Sequence, residues 1–192
     1  FLTGFPGFLG SALLERLLAR GDGPVACLVQ PEYVDTARRR ANELVDGIDA
    51  DGADAVGEGG ATEPGSDGAD ETDAGGSVRF FEGDITRPDL GLGEDVDALT
   101  SVDEVYHLAA VYDLGVERSL AEAVNVRGTE HVLDVAETVG VERFQYVSTC
   151  YVSGRYDGVF TEDHLQEGQS FNNHYEETKY RAEVAVQERM AD

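Results

Sequence analysis

The 192-residue sequence is poor in lysine, cysteine and tryptophan, and no apolar run in it approaches the length of a membrane span. It has one lysine, two cysteines and no tryptophan. The apolar pattern argues against a membrane-spanning helix. Cys27 and Cys150 lack the spacing of metal ligands and are typical of a reducing compartment, so we expect a cytoplasmic location and no metal site.

The sequence is also poor in positively charged residues. The formal net charge is −25, from 39 acidic residues against 14 basic ones. A broad basic face for nucleic acid is therefore excluded, because the phosphate backbone would be repelled. The acid-rich, lysine-poor composition resembles that of proteins from salt-loving archaea, in which a Debye length of about 3 Å at 1 M salt weakens self-repulsion. We expect a halophilic protein that acts on a small molecule.

Part of the negative charge lies in a low-complexity segment, residues 47–77. Residues 49–77 hold nine acids and neither lysine nor arginine, and they contain no aromatic residue. Such a composition buries too little apolar surface to offset chain entropy. The sequence predicts a disordered, glycine-rich acidic insertion without chemistry of its own.

A glycine motif, T-G-F-P-G-F-L-G at residues 3–10, stands where a short strand precedes a strong helix-forming run. Gly4 permits a tight turn, Gly7 lets a pyrophosphate approach the backbone, and Gly10 permits close packing of the helix. The helix N-terminus then offers free N–H groups and a positive dipole end to phosphates. The motif indicates a dinucleotide site.

The rest of the chain alternates apolar strands with helices. Strands are predicted at residues 25–30, 77–82, 102–110 and 143–149, and long helices at 117–139 and from 173 onward. This alternation predicts an α/β fold with a doubly wound parallel sheet of Rossmann type, in strand order 3-2-1-4-5. Only two residues precede the motif and the last helix lacks a stop signal. We interpret residues 1–192 as a Rossmann-domain fragment, truncated at both ends, with the C-terminal substrate domain absent.

Three positions bear on the adenosine end of the cofactor. Gln30 ends the second strand, where an acid would bind ribose hydroxyls and a base would accept a 2′-phosphate. Arginines at 38–40 follow on a helix, so Arg38 is a candidate for that phosphate, and we favour NADP over NAD. Asp84 follows the third strand and can accept a hydrogen bond from adenine. His107 is predicted to be a packed histidine rather than a catalytic one.

Tyr175 and Lys179 carry the chemistry. They are four residues apart on a helix and so share one face. Lys179 is the only lysine in the sequence, which otherwise uses arginine. A compact ammonium about 5 Å from a phenol contributes about 3 kcal/mol toward lowering its pKa in an effective dielectric near 20. Asn125 is a weak helix former inside a helix and is expected to form a polar bridge near the cofactor.

Six motifs occur together and in order. They are the glycine motif, G-D-I-T at 83–86, H-L-A-A at 107–110, N-V-R-G-T at 125–129, V-S-T at 147–149 and Y-x-x-x-K at 175–179. The set resembles the extended short-chain dehydrogenase/reductase superfamily. G-F-L-G at 7–10, P-D-L-G-L at 88–92, F-T-E-D at 160–163 and the run at 175–183 are most similar to its thioester reductase and fatty acyl-CoA reductase branch. Pro6 and Gln30 depart from the usual pattern of that branch.

The resemblance implies roles for individual residues. Tyr175 would donate or accept the proton, Lys179 would lower its pKa and hold the nicotinamide ribose, and Thr149, with Ser148 as the neighbouring alternative, would bond the substrate oxygen. The catalytic candidates are Tyr175, Lys179, Thr149, Ser148 and Asn125. The cofactor-binding candidates are Thr3, Gly4, Phe5, Pro6, Gly7, Phe8, Leu9, Gly10, Gln30, Arg38, Asp84, Ile85, Leu108, Ala109, Ala110 and Lys179.

We therefore expect an NAD(P)-dependent enzyme that transfers a hydride between a nicotinamide cofactor and a carbonyl, alcohol or acyl thioester. One alternative is a nucleotide-sugar epimerase or dehydratase, which recycles its cofactor. A second is a non-catalytic dinucleotide sensor, which would need neither Tyr175 nor Lys179. We allow for a homodimer.

Overall fold

Strands and helices alternate through most of the computed structural model, which describes residues 1–52, 72–73 and 76–191. The strands are β1 (Leu2–Thr3), β2 (Val25–Val29), β3 (Thr72–Asp73), β4 (Val78–Glu82), β5 (Glu104–His107) and β6 (Arg143–Tyr146). The α-helices are α1 (Phe8–Arg20), α2 (Val34–Gly52), α3 (Arg118–Ala121), α4 (Gly128–Val139) and α5 (His174–Ala191). Short 3₁₀ helices occupy Pro31–Tyr33, Pro88–Gly91, Gly93–Leu99 and Cys150–Ser153.

The strands form one sheet in the order β3-β4-β2-β1-β5-β6. Every pairing among β4, β2, β1, β5 and β6 is parallel, and β3 alone runs antiparallel, on the edge against β4. Counted along the chain without β3, the parallel strands follow the order 3-2-1-4-5. The predicted doubly wound topology is therefore confirmed.

Each face of the sheet has its own core. Leu14 of α1 and Ala37, Ala41 and Leu44 of α2 pack with Val25, Cys27 and Val29 of β2 on one face. Val132, Val135 and Ala136 of α4 pack with Ala26, Leu28 and Val105 on the other. All five side chains of β2 are buried, as a strand covered on both faces requires.

The structure differs from the prediction at the edges of the insertion. Helix α2 continues through Gly52, and Thr72–Asp73 form β3, so the described residues near both ends of 47–77 have regular structure. Residues 53–71 and 74–75 of the predicted insertion lie outside the described residues.

The helix predicted at 117–139 has three parts. A π-helical segment, Glu122–Arg127, lies between α3 and α4. Gly128 follows this segment. A β-carbon at Gly128 would lie 2.8 Å from Cδ1 of Ile85, so the position has no room for a side chain. The helix therefore packs closely on Ile85 at this glycine.

Strands β5 and β6 end earlier than predicted. Ala109 and Ala110 follow β5, and Ser148 and Thr149 follow β6, so all four lie in loops. These loops leave the carboxyl edge of the parallel sheet, where ligands of such folds bind. None of the helices among the described residues is long and apolar enough to cross a membrane.

Candidate active site

The glycine loop leaves β1 and enters α1. Gly4 has a φ of 89°, which confirms the tight turn. A β-carbon at Gly7 would lie 2.8 Å from the Gly4 carbonyl oxygen, and one at Gly10 would lie 2.5 Å from the same atom. Side chains at these two positions would collide with backbone. The close approach predicted at Gly10 is present, but its partner is the loop carbonyl rather than the sheet.

The start of α1 suits an anion. Its N-cap is Gly7, which has no side chain to occupy the first N–H groups, and its first turn, F-L-G-S at 8–11, is uncharged. In a chain of net charge −25, an uncharged helix N-terminus favours a negative ligand. Phe8 and Leu9 are 89% and 57% exposed, so both side chains are accessible beside the loop.

Two other residues of the motif face the protein. Phe5 is buried and stacks on Phe80 with ring centroids 6.2 Å apart. The carbonyl of Pro6 accepts a hydrogen bond of 3.2 Å from the Ser11 hydroxyl. Phe5 therefore shapes the loop through the core, and only its backbone remains for a ligand.

Gln30 and Asp84 meet beyond the ends of β2 and β4. The Gln30 amide donates to Asp84 Oδ2 at 3.1 Å, and the Thr86 backbone N–H and hydroxyl each donate to Oδ1 at 2.8 Å. Partial burial acts to raise the pKa of Asp84, but these hydrogen bonds and the charge of Arg87 outweigh it and lower the pKa. Asp84 is an ionised acceptor with two fixed oxygens.

The other two adenosine-side candidates lie deeper. Ile85 is buried against Gly128, and its carbonyl oxygen accepts a 2.8 Å hydrogen bond from His131. Arg38 lies half-buried on α2. Arg40, two residues on, pairs with Glu43 at 3.0 Å and is exposed.

The segment after β5 lies against the glycine loop. The backbone N–H groups of Leu108 and Ala109 both donate to the Thr3 hydroxyl at 3.2 Å. A β-carbon at Gly4 would lie 2.9 Å from the Ala109 nitrogen. Ala110 is exposed. The two predicted cofactor segments are thus in direct contact.

Tyr175 lies in the first turn of α5, which is capped at its start. The Asn173 side chain accepts from the Glu176 N–H at 2.9 Å, and the Glu176 carboxylate accepts from Asn172 and Asn173 at 2.8 and 3.2 Å. These bonds cap the first turn of α5 and fix the position of Tyr175.

Aromatic side chains surround Tyr175, which is 5% exposed. Tyr112 meets it edge-on with ring centroids 5.0 Å apart, and Tyr151 lies at 6.4 Å. Burial raises the pKa of Tyr175 above its ordinary value, while a hydrogen bond with Thr149 acts to lower it. We expected Lys179 to lower this pKa, and the structure differs: the phenol is protonated at neutral pH.

Lys179 does not lower the pKa of Tyr175 because its ammonium is directed at the end of β6. Its Nζ donates to the Tyr146 hydroxyl at 2.6 Å and to the Val147 carbonyl at 2.8 Å, both at the end of β6. Lys179 is 3% exposed, and burial lowers its pKa to about 8, opposed by Glu183. An ammonium has three N–H donors, so these contacts leave one for a ligand.

Ser148 and Thr149 have different partners. The Ser148 hydroxyl donates to the Glu183 carboxylate. Thr149 accepts from the Tyr151 N–H at 3.3 Å and bonds to Tyr175. Of the two hydroxyls, Thr149 is the one that touches the candidate acid.

Asn125 lies in the π-helical segment and is 1% exposed. Its side-chain oxygen accepts from the Val111 N–H at 2.9 Å, and its side-chain nitrogen donates to the Val111 carbonyl at 3.3 Å and the Thr178 hydroxyl at 3.1 Å. The predicted polar bridge is present. It joins the loop after β5 to the helix of Tyr175 and Lys179.

Our reading of the sequence missed several residues of this site. Tyr146 and Thr129 were not singled out, because a tyrosine in a strand and a threonine in a helix are typical of packing. Tyr112 lies in a loop and Tyr151 in the 3₁₀ helix Cys150–Ser153, and neither belongs to a recognisable motif. His107 was expected to be packed, and its exposure of 0% confirms this.

Comparison with known proteins agrees with this geometry. The model of the family described as male sterility protein matches residues 2–192. An alcohol-forming fatty acyl-CoA reductase from Simmondsia chinensis is 35% identical over 100 residues, which are 50% of this chain and 20% of that protein.

Two solved structures are similar in fold. The terminal R domain from the myxalamid PKS-NRPS biosynthetic pathway has a TM-score of 0.73 and 27% identity, over 99% of this chain and 44% of the other. UDP-glucuronic acid 4-epimerase from Bacillus cereus, in complex with NAD, has a TM-score of 0.64 and 22% identity, over 100% and 51%. The chain spans about half or less of the length of these proteins.

The family match covers nearly the whole chain. The glycine loop, the loop after β5 and the Tyr-Lys pair of α5 meet at the carboxyl edge expected of such enzymes. The chain belongs to the male sterility protein family of NAD-binding domains, within the extended short-chain dehydrogenases/reductases.

Proposed function

We propose that this chain binds NADP, or NAD with lower preference, and reduces an acyl thioester. The observation that carries the proposal is the arrangement at α5. A buried phenol bonded to Thr149 lies one turn from a buried ammonium with one N–H donor left over.

The glycine loop fits the diphosphate of such a cofactor. Gly7 and Gly10 leave no room for a β-carbon, and the helix N-terminus beyond them is uncapped and uncharged. Thr3 and Gly4 join the loop to the segment 108–110. Asp84 would accept from adenine, and Arg38 would meet a 2′-phosphate. When bound, the dinucleotide supplies the hydride.

Residues of α5 and of the loop after β6 would then transfer the proton to the substrate. The hydride would add to the carbonyl carbon of the thioester, and Tyr175 would give its hydroxyl proton to the carbonyl oxygen as negative charge develops there. Thr149 donates a hydrogen bond to the same oxygen and stabilises that charge. Breaking of the C–S bond of the resulting hemithioacetal would release the thiol and leave an aldehyde. Lys179 would hold the nicotinamide ribose through its remaining N–H.

Burial keeps Tyr175 protonated at neutral pH, so its hydroxyl can act as the acid of a reduction. Lys179 has a pKa of about 8, so its positive charge is lost as the pH rises above that value. We expect the rate of reduction to fall above about pH 8.

An acyl thioester is the substrate class that the comparisons favour. The Simmondsia chinensis relative is named for a fatty acyl-CoA, and the myxalamid R domain is the terminal domain of a PKS-NRPS pathway. The exposed rings of Tyr112 and Tyr151 beside Tyr175 provide apolar surface for an acyl chain.

A nucleotide-sugar epimerase is the second candidate, favoured by the fold likeness to the UDP-glucuronic acid 4-epimerase. The two functions differ in stoichiometry, because an epimerase regenerates its cofactor. A reductase consumes one dinucleotide for each hydride transferred. A dinucleotide sensor would bind the cofactor without turnover of any substrate.

The test is carried out in high salt and has two steps. Binding of NADPH and NADH is measured first by cofactor fluorescence. Oxidation of the cofactor is then followed by the loss of its absorbance at 340 nm in the presence of acyl-CoA, aldehyde and UDP-sugar panels. Stoichiometric oxidation with acyl-CoA supports the proposal, and conversion of a UDP-sugar without net oxidation favours the epimerase.

Tyr175→Phe tests the mechanism. We expect turnover to fall at least about 100-fold while NADPH binding is retained, since only the acid is removed. The matched control is Tyr180→Phe, which removes a hydroxyl from the same helix where the ring packs on Phe171. Full activity in Tyr175→Phe would refute the assignment. Arg38→Ala should weaken NADPH binding more than NADH binding.

A further inference from the structure

Five polar side chains lie in a row between the glycine motif and the catalytic helix. Thr3 bonds to His107 at 2.7 Å, and His107 bonds to Thr129 at 3.0 Å. The Tyr146 ring stacks on His107, and the Tyr146 hydroxyl accepts from Lys179 at 2.6 Å. We call these five residues the polar row.

Strand register sets most of this row. Thr3 is paired with His107 across β1 and β5, and His107 is paired with Tyr146 across β5 and β6. Register partners in a parallel sheet point to the same face, so the three side chains line up across it. The rings of His107 and Tyr146 stack with centroids 5.7 Å apart.

The donors and acceptors of the row can be assigned from its ends. Thr3 accepts from the N–H groups of Leu108 and Ala109, so its own proton goes to His107 Nδ1. A neutral imidazole then donates from Nε2 to the Thr129 hydroxyl. Thr129 donates to the Asn125 carbonyl at 2.7 Å.

The last link of the row is the contact between Tyr146 and Lys179. The Tyr146 hydroxyl oxygen accepts from Lys179 Nζ at 2.6 Å, and Nζ also donates to the Val147 carbonyl, which leaves one N–H of Lys179 for a ligand. The Tyr146 oxygen is therefore held as an acceptor toward Lys179.

Tyr146 contacts Lys179 in two ways. Besides the hydrogen bond to the hydroxyl, Nζ lies 4.2 Å from the centroid of the Tyr146 ring. The hydrogen bond and the cation–π contact both favour the charged form of the lysine. Glu183 on α5 and the neutral His107 on β5 are the other titratable groups that interact with Lys179.

We propose that Tyr146, whose ring stacks on His107, is a positioning residue whose hydroxyl orients the Lys179 ammonium so that its third N–H serves the cofactor. This inference rests on the proposed function, because it takes the ligand of Lys179 to be the dinucleotide. Tyr146 itself touches neither substrate nor cofactor in this role. It acts through Lys179 alone.

The test exploits the single lysine of the chain. Labelling with lysine that carries ¹⁵N at Nζ gives one side-chain resonance, whose pH titration reports on Lys179 directly. Tyr146→Phe removes the hydroxyl and keeps the ring, and Tyr146→Leu removes both. Tyr106→Phe is the matched control, since that hydroxyl on the neighbouring strand β5 bonds to Arg20 instead.

We expect Tyr146→Phe to lower the pKa of Lys179 by about one unit, because the charged form loses an acceptor. Tyr146→Leu should lower it further. NADPH binding should weaken about tenfold in Tyr146→Phe and stay at the wild-type level in Tyr106→Phe. Circular dichroism and thermal melts check that each variant is folded.

The outcomes separate the two proposals. If wild-type protein binds neither NADPH nor NADH, the proposed function is refuted. If wild-type protein binds NADPH, but folded Tyr146→Phe has the Lys179 pKa and the NADPH affinity of Tyr106→Phe, the positioning role is refuted and the proposed function stands. A shift in the Lys179 pKa together with weaker NADPH binding supports both.

Discussion

The imidazole of His107 makes the stability of this protein depend on pH in a way that can be measured. His107 is fully buried, and burial, with a smaller contribution from the charge of Lys179, lowers its pKa from 6.5 to about 3. Both ring nitrogens are engaged by threonine hydroxyls. The folded protein therefore keeps the imidazole neutral under mildly acidic conditions.

The direction of this pH dependence follows from the uptake of a proton by His107 on unfolding. Between about pH 3 and pH 6.5 the unfolded chain binds a proton at this residue and the folded chain does not, so stability rises with pH across this window. Stability is lost as the pH falls. With these two pKa values, the loss between pH 8 and pH 5 is about 2 kcal/mol.

The assay is urea unfolding followed by circular dichroism at pH 8 and pH 5, at one fixed high salt concentration. In His107→Gln, the difference in unfolding free energy between the two pH values should be smaller than in wild type by about 2 kcal/mol. His164→Gln, which removes a loop histidine, should keep the wild-type difference. An equal acid dependence in His107→Gln and wild type would refute the reasoning.

Three further substitutions probe the scaffold of the site. Gly10→Ala should destabilise the protein by about 2 kcal/mol and abolish NADPH binding, because its β-carbon would meet the Gly4 carbonyl at 2.5 Å; thermal melts and cofactor fluorescence measure this. Asn173→Ala should cost about 1 kcal/mol in urea unfolding, because it removes the cap shared with Glu176. Asn125→Ala should cost about 2 kcal/mol and slow turnover, because buried partners in the loop after β5 and on α5 lose their hydrogen bonds.

Each of these substitutions has a control at a less constrained position. Gly47→Ala has open space around the added carbon and should not destabilise the protein. Ser119→Ala and Thr138→Ala change exposed polar residues on α3 and α4 and should each stay within about 0.5 kcal/mol of wild type. Losses in these controls as large as in the tests would contradict the proposed local causes.

The order of the strands could be predicted because it depends on patterns that are local in the chain. Apolar strands alternate with helices, and right-handed crossovers leave few ways to arrange them. The tight turn at Gly4 and the common face of Tyr175 and Lys179 are equally local, since a turn type and a helical period decide them.

The environment of the catalytic pair could not be predicted in the same way. Lys179 lies against Tyr146 and Val147 because α5 packs over the end of β6, and no spacing in the sequence encodes that contact. Tyr175 has a raised pKa because it is buried, in part by Tyr112 from the loop after β5 and by Tyr151 from the 3₁₀ helix after β6.

The sequence by itself therefore determined the elements, their order and the residue types available for chemistry, because these follow from short-range sterics and hydrophobic periodicity. The tertiary structure decided which protonation states those residues hold. A pKa depends on the solvent excluded and the partners supplied by segments distant in the chain. Strand register and helix packing alone bring Thr3, His107, Tyr146 and Lys179 into one row of polar side chains.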